Sequence, residues 1–162
     1  MASMDFFTVS TLTGRVLFVL VLLSHERRRI VHVNVTDHPT AAWTAQQVVD
    51  AFPENTAPRW LLRDDDSIYG AAFRRRVAGM GIAEAICSPM SPWQSPYVER
   101  LIGSILRECL DHMIVINQRH LRQLLLAYIT YDLRSRTHLA LNKDAPDGRP
   151  VCSPPGSIVV RP

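Results

Sequence analysis

The apolar run Val16–Leu23 constrains the fold of this chain more than any other stretch of its sequence. The run is too short to cross a bilayer as a helix, because such a helix needs about 20 apolar residues. A secretion signal is a weaker alternative, since the run lacks a strongly basic flank and a small-residue cleavage motif. Continuous apolar runs of this length are typical of strands buried on both faces of a sheet. We therefore expect residues 16–24 to form a buried central strand, with no membrane association.

Two further segments predict strands before and after this run. Residues 5–12 indicate a first strand that ends at the Thr13-Gly14 turn, whereas residues 1–4 offer neither a strand nor a helix. Residues 29–36 alternate in polarity, which predicts a third strand with three valines on one face: Val31, Val33 and Val35. Short turns between the three segments predict an antiparallel meander.

The remainder of the chain predicts helices that alternate with two short strands. Thr40, Ser95 and Asn117 are suitable N-caps, and Pro96 suits the first position of its helix. Apolar residues at helical spacing give the last two helices buried faces: Val98, Leu101, Ile102, Ile105, Cys109 and Leu110 in one, and Leu121, Leu124, Leu125 and Tyr128 in the other. The other predicted elements are a helix over residues 70–79 and strands over residues 60–63 and 82–87.

The predicted order of elements is β-β-β-α-β-α-β-α-α. A crossover helix precedes the strand at residues 60–63, so that strand is expected to run parallel to the first. This order predicts an α/β domain with a five-stranded mixed sheet, three antiparallel strands followed by parallel strands, flanked by helices. The 162 residues are enough for one domain with a substantial core.

Three acidic residues from separate predicted elements are the main candidates for chemistry. Asp5 opens the first strand, Asp64 follows the fourth strand, and Glu99 lies in the first turn of a helix. Carboxylates brought together repel one another and remain ionised together only when cations lie between them. Hard divalent ions such as Mg²⁺ prefer carboxylate oxygens, and two of them about 3.5–4 Å apart suit phosphodiester chemistry. The alternative is that each is a solvated acid or, for Glu99, a favourable charge at a helix N-terminus.

Several stretches of the chain together resemble one family of proteins. They extend from Asp5 to about Val151 and read DFFTV, RRRIVHVNVTDHPTAAWTAQQ, LLRDDDSIYGAAFRRRV, SPWQSPYVERLIGSILRECLDH and RSRTHLALNKDAPDGRPV. These stretches are similar to the catalytic core of DDE transposases and retroviral-type integrases, and most of all to the integrase-core transposases of bacterial insertion sequences. The resemblance implies a ribonuclease H-like catalytic core over residues 1–151, followed by an irregular tail over residues 152–162.

The resemblance also implies a function and a cofactor. It implies nicking of DNA at the ends of a mobile element and joining of those ends to target DNA, with Mg²⁺ or Mn²⁺ as cofactor and two ions expected per site. It further implies a homo-oligomer that acts on DNA in the bacterial cytoplasm, associated with the nucleoid. Asp5 is expected to bridge both ions, with Asp64 and Glu99 each completing one site. Asp64 is preferred to Asp66, the reserve choice, because its distances from Glu99 and Phe73 fit the family pattern.

The resemblance implies that DNA lies near the loop and helices around these acids. Trp93 and Gln94 precede Glu99 in a loop that is close to DNA in the family, and a base could stack on Trp93. Further candidates for phosphate contacts are four arginines on the predicted helices: Arg74, Arg75, Arg100 and Arg107. The alternatives are a tryptophan packed on the core and arginines on solvated helix faces.

Three positions depart from the family pattern in a way that removes positive charge. The family usually carries basic residues where this chain has Asp65, Met90 and Leu106. The helix-turn-helix region that usually precedes the core in the family is also not visible in the sequence. These departures keep two alternatives open: a truncated non-catalytic remnant and an accessory subunit that binds DNA or protein. A general ribonuclease H activity is a separate enzymatic alternative.

Composition limits the classes of partner without identifying one. The net charge of +3, the pI of about 9.0 and a basic set of 17 Arg with one Lys are compatible with nucleic acid, although arginine-favouring codons are an equally simple cause. Three cysteines without CxxC spacing argue against a disulfide framework or a zinc ribbon. Arg136 and His138 are expected to fix the C-terminal segment rather than to take part in chemistry.

Overall fold

The computed structural model describes residues 1–53, 56–87, 96–137, 141 and 144–148. Within these residues the chain forms five strands and four α-helices. The strands are β1 (Ala2–Ser10), β2 (Val16–Ser24), β3 (Arg29–Thr36), β4 (Trp60–Arg63) and β5 (Ala83–Ile86). The helices are α1 (Ala41–Ala51), α2 (Ala71–Gly79), α3 (Pro96–Glu108) and α4 (Gln118–Arg134). Every helix in this described part falls short of the length and hydropathy that a membrane crossing demands.

The strands form a mixed sheet in the order β3-β2-β1-β4-β5. β1 pairs antiparallel with β2, and β2 pairs antiparallel with β3. β4 pairs parallel with β1 on one side and with β5 on the other. The predicted five-stranded mixed sheet, with a meander followed by parallel strands, is therefore confirmed. The strand predicted over residues 16–24 has the same bounds in the structure, where it is β2.

Strand β2 is buried on both faces of the sheet because its alternate side chains enter two hydrophobic clusters. The odd-numbered residues from Leu17 to Leu23 face a cluster formed with α3 and α4, which we call the α3–α4 layer. Leu20 and Leu22 face a second cluster formed with α1 and α2, the α1–α2 layer. All four residues from 19 to 22 are 0% exposed. At roughly 1.5–3 kcal/mol for each fully buried aliphatic side chain, this strand contributes strongly to the stability of both layers.

Strand β1 begins earlier than the sequence predicts. Its first residue is Ala2, and the expectation that residues 1–4 form neither strand nor helix is wrong. Ala2 pairs with Ser24 of β2 on one side and with Leu61 of β4 on the other. Ala2 and Met4 are each 1% exposed. The short segment carries little periodicity of its own, so the two neighbouring strands determine its conformation.

A β-bulge in the pairing of β2 with β3 places Val31 on the unexpected face. Val33 packs against the α3–α4 layer, whereas Val31 packs against the α1–α2 layer. The register between the two strands shifts between Leu22 and Leu23, so that Val31 has no direct partner in the ladder. The extra residue of a bulge interrupts the alternation of side chains along a strand. The prediction that the three valines share one face is therefore wrong for Val31.

The predicted helix starts are confirmed wherever the structure describes them. The Thr40 hydroxyl accepts a hydrogen bond from the Trp43 backbone N–H at 3.2 Å, at the start of α1. The Asn117 side-chain oxygen accepts one from the His120 backbone N–H at 2.9 Å, at the start of α4. Pro96 is the first residue of α3, as predicted, while Ser95 lies outside the described residues.

Replacing Leu125 by Ala on α4 is expected to lower the free energy of unfolding by about 2–5 kcal/mol, because Leu125 is 0% exposed and its truncation leaves a cavity. Its neighbour Leu126 is 58% exposed. The matched control Leu126→Ala is therefore expected to change the free energy of unfolding by about 0.5 kcal/mol or less. Urea unfolding followed by tryptophan fluorescence measures both effects. Equal losses in the two variants would show that the inward face of α4 is assigned wrongly.

Candidate active site

Asp5 and Asp64 come from neighbouring strands and lie at the same level of the sheet. The parallel pairing of β1 with β4 sets Ser3 opposite Leu62, and the same offset continued for two residues sets Asp5 opposite Asp64. Side chains alternate along a strand, so Asp5 shares a face with Phe7, which packs against the α3–α4 layer. The carboxyl of Asp5 is therefore directed toward the layer that contains α3.

Glu99 approaches the same face of the sheet from α3. It lies in the first turn of that helix and is exposed. Val98 and Leu101, on either side of it, are buried and hold α3 against the sheet. The negative charge of Glu99 acts on Asp5, together with the charges of Asp64 and Asp66. The structure thus brings the three predicted acids, and the reserve acid Asp66, within electrostatic range of one another.

The electrostatics of the cluster favour protonation of its most buried member. Burial is the largest cause that raises the pKa of Asp5 to about 6, and the charges of Asp64, Glu99 and Asp66 raise it further. A hydrogen bond from the Phe6 backbone N–H to the Asp5 carboxylate, 2.7 Å long, opposes this effect. Partial desolvation and then the charge of Asp66 raise the pKa of Asp64 above its ordinary value.

Cys87 is a further member of the cluster that sequence analysis did not identify. It follows β5, is 8% exposed and has a free thiol. Burial raises the pKa of this thiol, and the charges of Asp64, Asp5 and Glu99 raise it further. The thiol therefore lies within electrostatic range of all three predicted acids. The spacing of the cysteines carries no signal for this position, which depends on the pairing of β4 with β5.

The donor chemistry of the cluster fits a hard divalent cation. The acids supply only oxygen ligands, which Mg²⁺ and Mn²⁺ prefer, and a cation would relieve their mutual repulsion. Over the residues that the structure describes, however, no group of three or more His, Cys, Asp or Glu side chains is placed so that it could hold a metal ion. The acids are therefore near enough to repel one another without being arranged as the ligands of one ion.

Aromatic and cationic side chains hold the first turn of α3 against the turn between β2 and β3. The ring of Tyr97 lies 5.1 Å from the ring of His25, edge to face, and 4.8 Å from the guanidinium carbon of Arg28. Arg27 and Arg28 both have positive φ angles, 51° and 54°, which cost about 1–3 kcal/mol for each non-glycine residue. Tyr97 precedes Glu99 by two residues, so these contacts also fix the helix turn that carries Glu99. These contacts join residues that are far apart in the sequence, so no local pattern predicts them.

Arg136 follows α4 and connects it to α3. Its guanidinium forms an ion pair with the Glu108 carboxylate at 2.6 Å. In total it contacts two side chains on each helix: Ser104, Glu108, Tyr128 and Asp132. These contacts anchor the chain directly after α4 to both helices, while His138 lies outside the described residues.

The four arginines predicted to contact phosphates are all exposed. Arg74 and Arg75 lie on α2, and Arg100 and Arg107 lie on α3. Arg100 is adjacent to Glu99 in the chain. Arg107 is about 12 Å from Glu99 along the helix axis, at 1.5 Å per residue. Exposure makes all four available to a polyanion, and Arg100 is the one nearest to the cluster of acids along α3.

Other positions singled out from the sequence have different surroundings. One Asp66 carboxylate oxygen accepts hydrogen bonds from the Ile68 backbone N–H and the Ser67 hydroxyl, both 3.1 Å long, which shape the turn after β4. Leu106 packs against the α3–α4 layer, so an apolar residue fits that position. The remaining positions of the predicted DNA-contacting loop lie outside the described residues: Met90, Trp93 and Gln94.

The fold is that of the ribonuclease H-like catalytic cores of integrases and transposases. A chain in the cryoEM structure of the simian T-cell lymphotropic virus intasome in complex with PP2A regulatory subunit B56 gamma matches with a TM-score of 0.72 and 15% identity, over 98% of this chain and 58% of that chain. The catalytic domain of Mos1 mariner transposase matches with a TM-score of 0.67 and 12% identity, over 80% and 69% of the two chains. The HTLV-2 integrase catalytic core domain in complex with magnesium matches with a TM-score of 0.60 and 10% identity, over 88% and 90%. This chain thus spans 58% of the length of the intasome chain.

A match of the sequence itself agrees with the fold. Residues 80–146 match the integrase core domain family. No curated protein was found to match the sequence. The family match over these residues and the shared fold of the structural neighbours both agree with the resemblance inferred from the sequence to integrase and transposase cores.

Replacing Asp5 by Asn is expected to stabilise the metal-free protein near neutral pH and to have little effect near pH 4. The pKa of Asp5 is about 6 in the folded protein and 3.8 for an ordinary aspartate. Between these values the folded state binds more protons than the unfolded state, so the wild-type protein loses stability as the pH rises through this window. The substitution is therefore expected to raise the free energy of unfolding above this pH window by at most about 3 kcal/mol. Urea unfolding in the presence of a chelator, repeated across the window, measures it.

Asp50→Asn is the control for this experiment. Asp50 is exposed near the end of α1, and its carboxylate accepts a hydrogen bond from the Gln46 amide that an asparagine can also accept. This variant is expected to show no pH-dependent gain over the wild-type protein. A gain for Asp5→Asn that is the same at every pH would show that repulsion and burial of its charge are not the cause.

Proposed function

We propose that this chain carries out DNA transposition or integration as the metal-dependent core of a bacterial insertion-sequence transposase. The observation that supports the proposal is the electrostatic cluster of Asp5, Asp64 and Glu99 on the α3 side of the sheet. The family match and the fold favour the same general class of function. The proposed core extends over residues 1–151, with an irregular tail over residues 152–162, and acts at the bacterial nucleoid.

In this proposal the three acids hold Mg²⁺ or Mn²⁺, two ions per site, with Asp66 as the reserve ligand in place of Asp64. Ions held there would supply Lewis acidity, which would lower the pKa of water or of a DNA 3′-hydroxyl and stabilise the leaving oxygen. The Asp5 carboxyl must lose its proton to bind a cation. The affinity for the cation therefore falls as the pH drops below the pKa of Asp5, which is about 6. β1 and β4 hold Asp5 and Asp64 from one side, and α3 presents Glu99 from the other. No covalent protein intermediate is required.

The proposed partners are transposon-end DNA, target DNA and further copies of the chain. The structural neighbours include an intasome and trimeric and dimeric forms of the HTLV-2 integrase core. The exposed arginines on α2 and α3 supply candidate phosphate contacts in this proposal. Trp93 and Gln94 remain predicted DNA contacts. The alternatives of a non-catalytic remnant, an accessory subunit or a ribonuclease H are separated from this proposal by the experiments below.

Titration with Mn²⁺ in a calorimeter is expected to detect binding to the wild-type protein and weaker binding to Asp5→Asn, Asp64→Asn and Glu99→Gln. Each variant loses an anionic ligand, and an affinity loss of at least about tenfold is expected, because even the loss of a residue that only supports a ligand costs about 10–100-fold. Asp50→Asn is expected to bind like the wild-type protein.

The pattern of losses assigns the ligands. An isotherm for Glu99→Gln that matches the wild-type isotherm would remove Glu99 from the site. A loss in Asp66→Asn but not in Asp64→Asn would transfer the role of Asp64 to Asp66. Absence of Mn²⁺ binding by the wild-type protein would favour the non-catalytic remnant.

Catalysis itself is tested by strand nicking of a plasmid that carries the two DNA segments flanking the reading frame. Nicking is expected to require Mg²⁺ or Mn²⁺ and to be lost in Asp64→Asn. Equal nicking by the wild-type protein and Asp64→Asn would remove the catalytic proposal. Cleavage of an RNA–DNA hybrid, but not of this plasmid, would favour the ribonuclease H alternative.

Replacing Arg100 by Gln is expected to weaken DNA binding at low salt and to reduce the slope of log affinity against log salt concentration by about one, as one phosphate contact is lost. Arg119→Gln is the control, because Arg119 is also exposed but lies on α4. Fluorescence anisotropy with a labelled duplex at several salt concentrations measures both slopes. The same slope for the wild-type protein and Arg100→Gln would exclude Arg100 as a phosphate contact.

A further inference from the structure

Arg63, the last residue of β4, is a buried cation directly before the candidate ligand Asp64. It is 1% exposed. Its Nε donates to the Glu84 carboxylate on β5 at 2.6 Å, and its Nη1 donates to the main-chain carbonyl of Asp64 at 2.6 Å. The guanidinium carbon lies 4.7 Å from the ring centroid of Tyr69 and 5.8 Å from that of Phe73. The guanidinium is therefore held between an ion pair, two aromatic rings and the backbone of Asp64.

Arg63 and Asp5 lie on opposite faces of the sheet. Tyr69 and Phe73, which surround the guanidinium, belong to the α1–α2 layer. Asp64 is the next residue after Arg63. Asp5, which the pairing of β1 with β4 sets opposite Asp64, is directed toward the α3–α4 layer. The hydrogen bond from Arg63 to the carbonyl of Asp64 thus connects the α1–α2 side of the sheet to the backbone of the candidate ligand Asp64.

Stability alone is a weak explanation for this arrangement. The desolvation penalty of a buried ion pair often exceeds its coulombic gain, and well-packed apolar residues of similar size are often at least as stabilising. Among the residues that the structure describes, the Nη2 of Arg63 also has no hydrogen-bond partner. Arg63 makes a hydrogen bond to the Asp64 carbonyl that an apolar side chain at position 63 could not make.

We propose that Arg63 is a positioning residue that holds the backbone of Asp64 in place and so presents its carboxylate to a divalent cation on the opposite face of the sheet. The fixed positive charge behind the acids also offsets part of their mutual repulsion. The role in cation binding rests on the proposed function, whereas the role in ordering the backbone does not. Residues that orient metal ligands without touching the metal commonly change its affinity.

The test replaces the ion pair as a unit, with the double variant Arg63→Met and Glu84→Met. Removing both charges avoids the unpaired carboxylate that Arg63→Met alone would leave, so the fold is expected to persist. Urea unfolding checks that persistence. Arg59→Met is the matched control, since Arg59 is exposed and immediately precedes β4.

Two measurements then separate positioning from a purely structural role. Calorimetry with Mn²⁺ is expected to show an affinity about 10–100-fold lower for the double variant than for the wild-type protein and Arg59→Met. In the metal-free protein, ¹⁵N order parameters of residues 64–66 are expected to fall from about 0.85, typical of rigid backbone, toward about 0.6.

Wild-type Mn²⁺ affinity together with wild-type order parameters in a folded double variant would overturn the role of Arg63. If the wild-type protein itself binds no Mn²⁺, the proposed function fails while the order parameters still decide whether Arg63 positions the backbone of Asp64. Lowered order parameters then support that role, and unchanged ones refute it.

Discussion

The burial of β2 on both faces is the constraint on which the rest of the structure depends. Leu20 and Val21 are adjacent and both 0% exposed, so the sheet needs a helical layer on each side. Asp5 pairs directly with Val21, and opposite residues in an antiparallel pair share a face. The carboxyl of Asp5 is thereby committed to the layer in which α3 carries Glu99. Hydrophobic patterning therefore determines where the acids meet, because their like charges would otherwise drive them apart.

The two faces of the sheet carry different charged side chains. The acids lie on the α3 side, while the paired charges of Arg63 and Glu84 lie on the α1–α2 side. At Asp64, partial desolvation and the charge of Asp66 raise the pKa, while Arg63 lowers it and so opposes part of the increase. The acids can therefore remain close together because protonation, which burial favours, and the nearby cation of Arg63 each relieve part of their repulsion.

Local signals in the sequence predicted the elements that local physics controls. The bounds of β2 and the caps Thr40 and Asn117 follow from an apolar run and from side chains suited to N-caps. The bulge that turns Val31 to the other face depends on how β2 pairs with β3, which no local pattern contains. The same holds for Arg63, which sequence analysis treated only as the end of a strand. The three acids were predicted largely from the family resemblance, and the structure brings them within electrostatic range of one another.

The contacts of Arg27 have a consequence for the order of events in folding. Its side chain donates to the carbonyl of Pro146 at 2.7 Å, across 119 positions of the chain, and to the Asp144 carboxylate at 2.8 Å. Closing so long a loop costs entropy before any contact is gained, whereas the β1–β2–β3 meander forms from near neighbours. We therefore expect residues 144–148 to dock onto a sheet that has already assembled.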